Sequence, residues 1–95
     1  IAIPHTKVRD LPDVLLAIGV SRQGIDFHAP DGAPVTLVFL VLSPSEAPGL
    51  HLQALARISR IIRMPGVAEG LRAAATAEDI AGILKEAERQ LAVPA

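Results

Sequence analysis

The sequence has no cysteine, tryptophan or tyrosine. Lack of cysteine excludes disulfides, thiolate zinc sites and a cysteine nucleophile, and it fits a cytoplasmic setting. Phe27 and Phe39 are the only aromatic residues, so the core must be assembled from Leu, Ile, Val and Ala. There is also no aromatic platform on which bases could stack. Net charge is −1 and the basic residues form no block. Nucleic acid is therefore not expected as a partner, because phosphate backbones are bound through clustered Lys and Arg. The longest strand-like apolar run, Val35 to Leu42, is eight residues. That is less than half of the roughly 20 needed by a spanning helix, so the chain is not expected to be membrane-embedded. No signal peptide is visible, and no GxxxxGK phosphate loop occurs.

What is present suits one small domain over residues 1–95, with half of its residues apolar. Ile1 to His5 (IAIPH) reads as a short strand that stops at Pro4, since proline cannot donate to a ladder. Thr6 to Asp13 reads as a loop. Val14 to Val20 (VLLAIGV) is a continuous apolar run of strand length, implying burial on both faces. A turn-rich connector follows, in which Asp31-Gly32 is a hairpin-type signal. Val35 to Leu42 (VTLVFLVL) is the clearest strand and ends in the breaker segment SPSEAPG.

The apolar period then changes from 2 to 3.6. Leu50 to Met64 reads as one helix, interrupted by Pro65-Gly66. Val67 to Ala75 reads as a second. A third starts at Thr76, with Asp79 three residues on as an approximate capping box, and buries Ile80, Ile83, Leu84, Ala87 and Leu91. Strands followed by helices predict an α/β fold in which a mixed sheet carries packed helices. The terminal AVPA reads as a loose tail, and the start at Ile1, inside a strand, reads as the edge of something longer. Uncovered strand edges would favour homo-oligomers.

The three histidines have to be weighed separately. His28 lies in the connector and reads as an exposed loop residue. His51 requires a helical projection at about 100° per residue, on which Leu50, Ala54, Leu55, Ile58, Ile61 and Ile62 fill an arc of roughly 140°. His51 falls inside that arc but in the first turn, while Gln53, Arg57, Arg60 and Arg63 lie opposite. Two readings stay open for it: a core histidine bonded to a carbonyl, or a rim residue facing a site. His5 ends a strand, where ligands of open α/β sheets tend to sit. If the two meet, free N–H groups at the helix start would favour an anion beside them, which suits a phosphoryl group. A metal is the weaker expectation, because no third ligand stands at suitable spacing.

IAIPHTK, then GIDFHAPDGAPVTLVFLVLSPSE, then HLQALARISRII resemble the enzyme IIA domain of the fructose–mannitol class of the bacterial phosphotransferase system. Its nitrogen-branch regulatory relatives are resembled equally. The match runs from Ile1 to about Glu88. The resemblance implies that His5 is the phosphoryl acceptor and that His51, opening the following helix, stabilises the phosphoryl group. No role carries over to His28. It further implies that these residues are the C-terminal two-thirds of an enzyme IIA type 2 domain, and that an arginine near the family's active site belongs to a preceding segment.

The resemblance predicts a histidine-containing phosphocarrier protein as donor and a IIB domain as acceptor, with no cofactor. The activity would be that of a phosphotransferase component carrying phosphohistidine. Two alternatives stand beside it. One is a regulatory module whose affinity for target proteins or a linked transporter is switched by phosphorylation of His5. The other is a degenerate domain kept for structure.

Overall fold

The computed structural model describes residues 1–92. Strands β1 (His5–Val8), β2 (Leu15–Ile25) and β3 (Val35–Pro44) precede helices α1 (Pro48–Arg63), α2 (Val67–Ala73) and α3 (Ala77–Ala92). The sheet order is β1-β3-β2, with β1 parallel and β2 antiparallel to β3. A mixed sheet with helices packed on it is thus the architecture, as the change of period predicts. Ala92 closes α3, and the remainder of the AVPA tail lies outside the described residues.

The centre of the fold is β3. Its alternate residues Val35, Leu37, Phe39, Val41 and Ser43 are buried on one face, because β-strand side chains point alternately to opposite sides. Ile58 and Ile61 of α1, Val67 and Leu71 of α2 and Ala87 of α3 join Leu37, Phe39 and Val41 in a single core. Each such aliphatic side chain removed from water contributes about 1.5–3 kcal/mol. The stripe Ile80, Ile83, Leu84, Ala87 and Leu91 packs onto this core, as its helical spacing predicts.

The edges of the sheet differ from expectation. Pro4 does not end the first strand. It lacks the N–H of one rung, but its carbonyl still accepts from Val41 N–H (2.9 Å), and Ala2 bridges Val38 upstream. The ladder therefore resumes at His5 and runs to Val8, so His5 begins a strand and Thr6 to Val8 are not loop. An edge strand tolerates one missing rung.

The second strand also runs further than Val20, to Ile25, across an irregular register between Val20 and Ile25. Gly24 makes this detour. Its φ is +84°, and a Cβ there would sit 2.6 Å from the Pro34 Cβ, so only glycine fits without displacement. The reversal into β3 is closed by Gly32 N–H donating to the Ala29 carbonyl (2.9 Å), where the Asp31-Gly32 signal predicts a turn.

The run VLLAIGV is not buried on both faces: Leu15 is 53% and Leu16 44% exposed. As an edge strand, β2 is flanked on one side only. Leu15 and Ala17 pair with Leu42 and Leu40, opposite in parity to the core residues of β3, on the face away from the helix-packed core.

The helices stop where local chemistry stops them. Met64 adopts an extended conformation, as residues before proline prefer, and Gly66 at φ +81° turns the chain into α2. The second helix ends at Ala73, short of the expected Ala75. Asp79 Oδ2 accepts from Ala75 N–H (3.2 Å) while Asp79 N–H donates to Thr76 Oγ1 (3.1 Å). This reciprocal cap holds the residues before α3 out of helix.

Candidate functional site

Parity brings the two histidines together. In the parallel register His5 pairs with Val41, whose side chain lies on the helix-covered face. Two residues further along β3, Ser43 keeps the same parity, and the short link Ser45–Ala47 turns the chain into α1. His51 then falls in the first turn of α1. The His5 and His51 ring centroids are 5.4 Å apart, with the rings inclined by 50°. His28 is remote in character as well as sequence. It sits in a loop with φ +53° and its side chain is 92% exposed, in keeping with the loop reading.

His5 is exposed at the start of the edge strand, and its Nδ1 lies 2.6 Å from the Ile3 carbonyl oxygen. A carbonyl oxygen can only accept, so Nδ1 carries the proton in the neutral ring and Nε2 holds the lone pair. The backbone thereby selects which ring nitrogen keeps its lone pair.

His51 is 8% exposed, and its Nδ1 lies 2.8 Å from the hydroxyl oxygen of Ser43, which is fully buried. Its partner is thus a side-chain hydroxyl and not the carbonyl of a plain core histidine. Among the described residues, no buried side-chain nitrogen or oxygen lacks a hydrogen-bond partner. Since Nδ1 is the bonded nitrogen, the unpartnered Nε2 of His51 must be the one that reaches solvent. The ring is held from behind and open at its other nitrogen.

The electrostatics at the start of α1 favour an anion. Ala47 caps the helix without a side-chain hydrogen bond, and the first turn holds no acidic residue. No carboxylate of the first turn therefore offsets the positive end of the helix dipole. Fewer N–H groups are free than the sequence suggests: Pro48 has none, and Leu50 N–H donates to the Ala47 carbonyl (3.1 Å). Leu50 and Leu52, on either side of His51 in the chain, are 38% and 69% exposed. Among the described residues, no three His, Asp or Glu side chains converge as metal ligands would.

Ser43 is the member of this group that the reading of the sequence missed. In the sequence it falls within the breaker segment SPSEAPG. The signal was its parity: Val35, Leu37, Phe39 and Val41 define the inward face, and continuing the alternation puts a hydroxyl on it.

A sheet edge presenting one histidine, with a second at an uncapped helix start, defines the class to which comparison then assigns the chain. Residues 1–87 match the family model described as phosphoenolpyruvate-dependent sugar phosphotransferase system, EIIA 2, and the chain belongs to this family. A nitrogen regulatory protein of Bradyrhizobium diazoefficiens is 43% identical over 84 residues, which are 88% of this chain and 55% of that protein. The fructose-specific EIIABC component of Bacillus subtilis is 32% identical over 89 residues, 94% of this chain and 14% of that protein. The crystal structure of nitrogen regulatory protein IIA-Ntr from Neisseria meningitidis superposes with a TM-score of 0.76 at 33% identity, covering 86% of this chain and 56% of that one. The chain thus spans little more than half the length of the nitrogen regulatory proteins it matches.

Proposed function

We propose that this chain is a phosphocarrier in which His5 Nε2 accepts a phosphoryl group from a phosphohistidine on a carrier protein and passes it to a IIB domain. The observation that carries the reading is the adjacency of His5 and His51, with His5 Nε2 left free by the Nδ1 bond to Ile3. In the transfer, the bond from phosphorus to the donor nitrogen breaks and its electron pair stays on that nitrogen. The His5 Nε2 lone pair forms the new bond, while the proton stays on Nδ1, donated to the Ile3 carbonyl, and the ring delocalises the positive charge of the substituted imidazole. The transition state is loose, so alignment and charge stabilisation do most of the work. His51 and the start of α1 supply both. The donor is already activated, so no step calls for ATP.

A second reading is favoured by the relatives named nitrogen regulatory protein. In it, His5 accepts the same group, but phosphorylation switches affinity for a target protein. Both readings place the protein in the cytoplasm, where such carriers would meet it. Incubating the chain with a phosphoenolpyruvate-driven carrier cascade, with and without an acceptor IIB domain, tests both. Label that reaches His5 and moves on supports the first; label that stays and alters target binding supports the second.

A further inference from the structure

We infer that Ser43 is a positioning residue that holds His51 as the Nε2–H tautomer, so that the nitrogen reaching solvent is a hydrogen-bond donor. This rests on the phosphocarrier reading of the site and goes beyond it, since nothing in the His5–His51 pairing fixes where the His51 proton lies.

The argument runs through the Ser43 proton. Ser43 is fully buried near the end of β3, where water does not reach it. A buried hydroxyl has one proton to place and needs an acceptor for it. Among the described residues its side chain has one hydrogen-bond partner, His51 Nδ1, at 2.8 Å. Two arrangements of this bond are chemically available. If His51 Nδ1–H donated to Ser43 Oγ, the serine proton would be stranded, leaving a buried donor unsatisfied at the full cost of its desolvation. His51 Nε2 would then present a lone pair, which repels phosphoryl oxygens. If Ser43 O–H donates to Nδ1, every buried group is satisfied and the ring proton must sit on Nε2. The second arrangement wins on local bookkeeping alone, before any function is considered.

It also gives the two histidines complementary roles. The Ile3 carbonyl puts the His5 proton on Nδ1 and frees Nε2 as nucleophile. The Ser43 hydroxyl puts the His51 proton on Nε2 and makes it a donor. A hydrogen-bonded partner behind a histidine commonly decides which ring nitrogen is protonated, and losing such a partner behind metal-bound histidines costs about 10–100-fold in function.

The test is a long-range proton–nitrogen NMR spectrum of the histidine rings in the 95-residue chain, at a pH where they are neutral. His51 is expected as the Nε2–H tautomer, with its Nδ1 resonance displaced by an accepted hydrogen bond. In Ser43→Ala that displacement should vanish, and phosphoryl uptake from the carrier should slow by about 10–100-fold with the affinity for the carrier unchanged. A proton on His51 Nδ1 in the unaltered chain would overturn the inference, whatever the variant does. So would an unchanged His51 spectrum in Ser43→Ala. Failure of the phosphocarrier reading would look different: His5 of the unaltered chain would take no label, while the tautomer spectrum kept its expected form.

Discussion

His5 Nδ1 sits 2.6 Å from the carbonyl oxygen of Ile3, two residues earlier in the same edge segment. The proline between them makes this geometry local and stiff, because Pro4 has a fixed φ and its carbonyl is tied to Val41 N–H. The sequence IPH therefore encodes a histidine whose tautomer is chosen by its own backbone. Phosphorylation is accordingly predicted on Nε2, not Nδ1. Nitrogen NMR of the phosphorylated chain distinguishes the two isomers.

His51→Ala should impair transfer far more than folding. The variant removes a donor from beside His5 and leaves Ser43 to be accommodated in a pocket opened by the lost ring. Loss of one preorganised donor costs about 2.7–4 kcal/mol in a transition state, or about 10²–10³-fold in rate. Rapid-quench measurement of phosphoryl uptake, with urea unfolding as control, checks this. An unchanged rate would reduce His51 to a buried packing residue.

Neighbouring residues of β3 should respond to truncation with very different losses of stability. Phe39 is 1% exposed in the core and Leu40 is 38% exposed on the other face. Phe39→Ala should cost about 3–5 kcal/mol, much of the 5–15 kcal/mol that stabilises a small domain. Leu40→Ala should cost less than about 2 kcal/mol, since much of its side chain is already in water. Urea midpoints of the two variants measure the contrast.

Stability at low pH should carry a small contribution from α3. Hydrogen bonds from Arg89, at 2.6 and 2.9 Å, and then from Gln90 hold the Glu86 carboxyl down to about 2. A carboxyl lowered in the folded state stabilises it above the unfolded value, near 4.3, and this is lost as pH falls through that value toward about 2. The groups are more than half exposed, so the effect is small and screened by salt. Melting temperature followed from pH 6 to pH 2 should fall slightly less steeply in Glu86→Gln than in the unaltered chain, and the difference should shrink at high salt.

The parts of this molecule that could be read in the sequence are those governed by one local rule. The alternation of VTLVFLVL gives β3, and the helical arc around Ile58 and Ile61 places His51 inward. Thr76 and Asp79 mark the start of α3. The edges were less legible because pairing there depends on the neighbouring strand. Pro4 stops a rung and not a strand, since β3 offers Val41 N–H to its carbonyl. VLLAIGV reads as doubly buried because apolar content does not reveal which faces the helices cover. Ser43 was hidden by its neighbours: a serine beside prolines reads as a breaker until the strand's parity is extended through it.

The most direct test of the account is the site of labelling by the phosphoenolpyruvate-driven carrier cascade. The unaltered chain is predicted to take one acid-labile, alkali-stable phosphoryl group, located on His5 by mass spectrometry under alkaline conditions. His5→Ala, whose side chain is exposed and whose loss leaves the core intact, should take none. Labelling of His5→Ala to the same extent as the unaltered chain would contradict the account.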